Sequence, residues 1–125
     1  MGTTVLPVEG NRTGTSRVYA HRDPATNTVG VVVLNLASES QAVDLAIGNS
    51  TDATGAEQGP AGFLEYALTS YPVAADMESA MTALNTKQLE LDSGTGAPPD
   101  LVGVSRAGST VIAQGRSVTF VEFQL

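Results

Sequence analysis

Leu84-Asn85-Thr86-Lys87-Gln88-Leu89-Glu90-Leu91 is followed by a Gly/Pro stretch through Pro98-Pro99, then by Ser105-Arg106-Ala107-Gly108-Ser109. The chain then closes on Ser117-Val118-Thr119-Phe120-Val121-Glu122-Phe123. In order these read as a hairpin, a long loop, a turn and an apolar final strand. Alternation in the last segment sets Val121 and Phe123 opposite Val118 and Phe120, so both faces of that strand have something to cover. Thr110 to Ala113 supplies a further short strand just before it.

Upstream of this tail the same period of two recurs. Ser16 to Arg22 places Val18 and Ala20 on one face and Arg17, Tyr19 and His21 on the other, and Asp23-Pro24-Ala25-Thr26-Asn27 reads as a turn. Val29-Gly30-Val31-Val32-Val33-Leu34-Asn35-Leu36 is apolar on both faces and rich in β-branched residues, which suits the centre of a sheet packed on each side. Gln41 to Ile47 alternates with Val43, Leu45 and Ile47 inward, and is expected beside that central strand. Phe63 to Thr69 sets Leu64, Tyr66 and Leu68 against Phe63, Glu65 and Ala67, and Pro72 ends its ladder.

Three segments read differently. Thr4-Val5-Leu6-Pro7-Val8 is an edge strand or entering segment, since proline cannot donate to a ladder, and residues 1–15 form the connection into the domain. Gly48 to Gly62 is a fifteen-residue polar loop with four glycines and one proline. Asp76 to Leu84 reads two ways: Met77, Ala80, Met81 and Leu84 fall at helical spacing, while Met81-Thr82-Ala83-Leu84 could equally run into a hairpin, and a short helix near Ala75 to Ser79 followed by a strand is expected. About eight short strands without strand-helix alternation define an all-β, two-sheet antiparallel β-sandwich occupying residues 1–125 as one domain. An immunoglobulin domain would usually offer a Cys, Trp, Cys core, and this chain has neither residue type.

Composition narrows the chemistry. Hydrophobic residues make up 42% and charged ones 15%, enough apolar surface to offset the entropy of ordering. Thirteen acids against six bases give a formal charge of −7, a field that repels phosphate backbones, so no nucleic acid partner is expected. With no cysteine, neither disulfides nor thiolate metal sites are available. No apolar run approaches the roughly 18 residues of a membrane helix, and no membrane partner is expected. Met1-Gly2-Thr3-Thr4 carries no basic region or signal core and reads as the start of a mature or excised fragment.

No catalytic constellation emerges. Retaining glycoside hydrolysis needs two carboxyl groups about 5–5.5 Å apart, one acidic and one ionised. Glu65 and Glu122 fall within strands and read as solvated side chains. His21 is the one histidine, and neither Ser16 nor Ser105 stands in a Gly-x-Ser-x-Gly elbow. One histidine and no cysteine exclude zinc. Asn49, Thr51, Asp52 and Glu57 group oxygen ligands in one loop, without EF-hand spacing, and read as a solvated loop. Gly94-Thr95-Gly96 reads as a turn rather than a phosphate cradle. Asn11-Arg12-Thr13 and Asn49-Ser50-Thr51 match the glycosylation pattern. Among six aromatics, Tyr66, Phe120 and Phe123 are expected in the core, which leaves Tyr19 and Tyr71 as weak candidates for glycan or interface contact. No cofactor is implied.

The order and spacing of these segments resemble the C-terminal β-sandwich domain of glycoside hydrolase family 79, the heparanase and β-glucuronidase family. Met1-Gly2-Thr3-Thr4-Val5-Leu6 resembles the segment leaving the catalytic barrel, and Arg17-Val18-Tyr19-Ala20-His21 the first long strand. Leu34-Asn35-Leu36 resembles the core strand, Leu64-Glu65-Tyr66-Ala67-Leu68 the strand before the variable middle, and the closing hairpin and strand the family tail. The resemblance implies a non-catalytic domain supporting a separate (β/α)8 barrel, which alone would meet a glucuronic-acid-containing glycan, in a secreted or periplasmic setting. It also implies a strand received from elsewhere in the enzyme, hence an open sheet edge that favours self-association. The alternative is a freestanding carbohydrate-binding or structural interaction module.

Overall fold

The computed structural model describes residues 4–8, 12–13, 15–51, 57–74, 76 and 78–125. In chain order the strands are β1 (Thr4–Leu6), β2 (Arg12–Thr13), β3 (Ser16–Asp23), β4 (Thr28–Asn35), β5 (Gln41–Asp44) and β6 (Ile47–Thr51). They continue as β7 (Glu57–Gln58), β8 (Gly62–Tyr71), β9 (Met81–Leu84), β10 (Lys87–Gln88), β11 (Val104–Ala107), β12 (Thr110–Ala113) and β13 (Ser117–Gln124). Among the described residues there is no helix, and nine of these strands form one antiparallel sheet.

That sheet runs β1-β3-β4-β13-β8-β9-β10, with β2 also on β3 and β11 also on β8. Both edges of β4 are occupied along its length, by β3 from Ser16↔Asn35 to Asp23↔Thr28 and by β13 from Ser117↔Asn35 to Gln124↔Thr28. The continuous apolar run at Val31 to Val33 fits this central position, since packing covers it from both sides. The two small sheets, β12-β5 and β6-β7, complete the sandwich.

The core lies between the layers. Ala20, Val29, Val31, Val33, Phe63, Val121 and Phe123 face inward from the large sheet, and Val111 and Ala113 meet them from β12, with Val43, Leu45 and Ile47 packed alongside. Asn35, fully buried, ties the layers together: its side-chain amide donates to the carbonyls of Ala113 (3.1 Å), Gln114 (2.9 Å) and Glu39 (2.8 Å). Its carbonyl oxygen accepts from the Ala37 amide at 3.0 Å, so the buried side chain is satisfied on both ends.

Several expectations are corrected. β5 does not lie beside the central strand: β4 has no free edge, and β5 pairs with β12 in the opposing layer, Val43 facing Val111. The polar stretch from Gly48 contains strand, because Ile47–Thr51 folds back on Glu57–Gln58. Among the described residues no helix forms near Ser79. There the side chains of Ser70, Asp76 and Ser79 take up local backbone amides, Ser70 Oγ accepting from Asp76 at 2.8 Å and Asp76 Oδ1 from Glu78 at 3.0 Å, which competes with helical bonding. Ala75 and Met77 lie outside the described residues. Ser105 to Ala107 belongs to a strand, and only Gly108-Ser109 turns.

Glu65 is not solvated. Alternation along β8 directs Phe63, Ala67 and Thr69 inward and carries Glu65 with them to 7% exposure. Arg106, from β11, compensates: its Nε and one terminal nitrogen donate to Glu65 Oε1 at 3.1 and 3.0 Å. Glu122 is exposed as expected. Tyr66 and Phe120 are not core residues, for they share the outer face of the large sheet and are half-buried there, whereas Phe123 is buried inside.

Candidate functional site

The ladder registers fix what the outer face of the large sheet presents. One row across the strands reads Arg17, Leu34, Val118, Leu68, Leu84, and the next reads Tyr19, Val32, Phe120, Tyr66. Two polar rows follow: His21, Gly30, Glu122, Leu64, Ser105, and then Asp23, Thr28, Gln124. A largely apolar half with three aromatic rings therefore adjoins a half with carboxylates, hydroxyls and amide.

A groove of about 640 Å³ lies where the halves meet. Tyr66, Leu68, Leu84, Leu101 and Phe120 form its apolar end, and Asp23, Thr26, Thr28, Glu122 and Gln124 its polar end, with Gly30 between. At the polar end the Gln124 amide donates to Thr28 Oγ1 at 2.8 Å. No lysine or arginine is among the described residues lining it.

Leu101 brings the segment 89–103 to the apolar end of the groove as part of its wall. Asn85 anchors the far end of the segment: the side-chain amide donates to the Val102 and Glu65 carbonyls at 3.3 and 3.0 Å, while its oxygen accepts from Ala67 at 2.9 Å. Gly103 then lies flat on Tyr66, where an added Cβ would stand 2.7 Å from the ring. Within the segment, Asp92 Oδ1 accepts from the Gly94 amide (2.9 Å), the Thr95 amide (2.8 Å) and the Thr95 hydroxyl (3.1 Å), and Gly96, at φ 69°, closes the turn. These bonds, the Thr95 amide first, hold the Asp92 carboxyl below its ordinary value of 3.8. Gly94-Thr95-Gly96 is thus part of a carboxylate-held turn.

The candidates named from sequence do not converge. Tyr19 stands on the outer face at 50% exposure, on the strand that supplies Asp23 but not among the groove-lining residues, whereas Tyr71 ends β8 on the inner-face register opposite Met81. Glu65 and Glu122 lie on opposite faces of the same sheet, so they cannot flank one glycosidic bond. His21 and Ser105 share a row but are separated by four strand spacings, about 19 Å, and Ser16 faces inward beside Gln41. The side chains of Asn49, Thr51, Asp52 and Glu57, like the Asn11 pattern, lie outside the described residues. Among the described residues no group of three or more His, Cys, Asp or Glu could hold a metal, and no helix is long and apolar enough to cross a membrane.

Sequence reasoning missed Gly30, Thr28, Phe120, Glu122 and Gln124 as groove residues. The available signal was the glycine inside the Val29 to Val33 run.

The fold is similar to part of two glycoside hydrolase chains. One is a GH30 endoxylanase from Clostridium papyrosolvens, matched at a TM-score of 0.52 and 12% identity over 97% of this chain and 23% of that one. The other is an arabinose-bound GH51 α-L-arabinofuranosidase, matched at a TM-score of 0.56 and 16% identity over 97% of this chain and 17% of that one. No protein-family model matches the chain, and no curated protein matches its sequence. The fold is thus a β-sandwich similar to part of each of these chains, and this chain spans about a fifth of their length.

Proposed function

We propose that this sandwich is a non-catalytic accessory domain of a glycoside hydrolase, of the family 79 type, that supports a separate (β/α)8 barrel. The observation that carries the reading is the lopsided coverage: nearly the whole chain is matched, yet only 23% and 17% of the two enzymes. The rest of such an enzyme then carries the acid and nucleophile. Glu65, held by Arg106, and Glu122, on the opposite face, are ill placed for that pair. The glucuronic-acid-containing glycan belongs to the barrel, and the setting is secreted or periplasmic.

The coding sequence upstream of Met1 tests this first. A continuous frame encoding a (β/α)8 barrel with two active-site glutamates is expected, and a stop codon with a ribosome-binding site there contradicts it. Biochemically, the purified 125-residue chain should leave an aryl β-glucuronide intact. Turnover that survives repurification overturns the non-catalytic assignment.

A further inference from the structure

At the centre of the groove on the outer face lies a glycine that the strand itself does not need. Gly30 interrupts the β-branched run of β4, where glycine weakens a strand by leaving more backbone entropy to lose and nothing to pack. Three circumstances ordinarily explain such a glycine: a backbone conformation with positive φ, a bulge, or close approach of another group. Gly30 is not among the positive-φ glycines. The register runs unbroken through it on both sides, His21↔Gly30 and Gly30↔Glu122, so there is no bulge. Close approach from the outer face is what remains.

We infer that this groove binds a neutral oligosaccharide, seated over Gly30 between the Phe120 and Tyr66 rings and the polar row of Glu122, Gln124, Thr28 and Asp23. Its volume lies in the range of small-ligand sites, which combine apolar and aromatic walls with a few polar groups. The Phe120 ring, with the part of Tyr66 that Gly103 leaves uncovered, offers apolar surface to the C–H side of a sugar, and the carboxylates, hydroxyls and amide accept from or donate to its hydroxyls. Charge selects the sugar class. Two carboxylates without a lining lysine or arginine among the described residues, on a chain of net charge −7, repel uronates and sulfated sugars and leave neutral ones. A docked protein would bury about 800 Å² and call for a broad face rather than a walled groove. The inference stands apart from the accessory-domain reading, since a domain with or without a barrel can carry it.

The test is a nitrogen-15 NMR titration of the 125-residue chain with neutral hexamers of β-1,4-linked glucose, xylose and mannose, and with a uronic-acid hexamer. At least one neutral hexamer should move the amides of Gly30, Glu122, Gln124 and Tyr66, with the uronic hexamer at least tenfold weaker at low salt. Gly30→Leu should weaken binding tenfold or more while the thermal midpoint holds or rises, because a side chain there fills the floor and favours the strand. Tyr19→Ala and Tyr71→Ala should leave binding unchanged. Wild-type amides that stay still at millimolar neutral sugar overturn the inference, as do shifts mapping elsewhere, equal uronate binding, or undiminished affinity in Gly30→Leu. Loss of the groove signals through concentration-dependent self-association, without sugar binding, assigns the face to a second copy and also overturns it.

Discussion

At the scale of single residues, the fold rests on a few side chains that settle polar accounts inside an apolar layer. Asn35 uses both ends of its amide at full burial, whereas Thr119, equally buried, has a hydroxyl with no partner. Replacing that hydroxyl by a methyl of the same shape removes a desolvation cost, so Thr119→Val is expected to be neutral or to stabilise by up to about 1–2 kcal/mol. Urea melts that show a loss above about 1 kcal/mol contradict the absence of a partner. Asp92 carries a pH dependence. Its folded carboxyl sits below 3.8, so its contribution is complete above that value and is lost as pH falls through the lower folded one. Carbon-detected titration of Asp92 should therefore give a midpoint below 3.8, with the Thr95 amide resonance following it. A midpoint at or above 3.8 rules out the hydrogen-bonded turn in solution.

At the scale of elements, β8 shows how one edge is shared. β11 pairs with Gly62 to Glu65 and β9 with Leu68 to Tyr71, which leaves the middle of that edge without a strand. Asn85 fills the gap: its backbone amide donates to the Ala67 carbonyl at 2.8 Å and its side chain bonds Ala67 and Glu65. It does so from a left-handed turn, φ 48° at Asn85 and 73° at Thr86, the geometry of a two-residue hairpin loop. Asn85→Gly keeps the turn and loses the amide, whereas Asn85→Ala loses both. Asn85→Gly should cost about 1–3 kcal/mol and Asn85→Ala more, with faster hydrogen exchange at Ala67 in each. Unchanged exchange at Ala67 contradicts the bridging role. The hairpin was legible through the family resemblance rather than through pattern, since Met77, Ala80, Met81 and Leu84 also fall at helical spacing. The bridge was not, since it depends on where two other strands end along β8.

At the scale of the whole molecule, the layers are unequal. Nine strands form one sheet, while β5 and β12 pair with each other and, among the described strands, with no other. We propose that this small sheet is an open edge and that the isolated chain associates through it, since unpaired backbone groups accept another strand. Sedimentation should show mass rising with concentration, and Ile112→Lys, at a half-exposed position of β12, should shift the chain toward monomer. A strict monomer at high concentration in the unaltered chain sinks the proposal.

The sequence by itself determined the all-β class, the long strands and their faces, and the final apolar strand. Each follows from alternation, β-branched content and turn residues within a few positions of one another. Glu65 falls on one face with Phe63 and Ala67 yet reads as solvated from sequence, because the residue that compensates its burial, Arg106, lies forty-one positions away in sequence. Only the tertiary structure decided that β5 leaves β4, because strand order depends on which edges are already taken. It alone placed Phe120 and Tyr66 outside the core and Gly30 at the floor of a groove, since a row across a sheet joins residues that are neighbours only after long loops close.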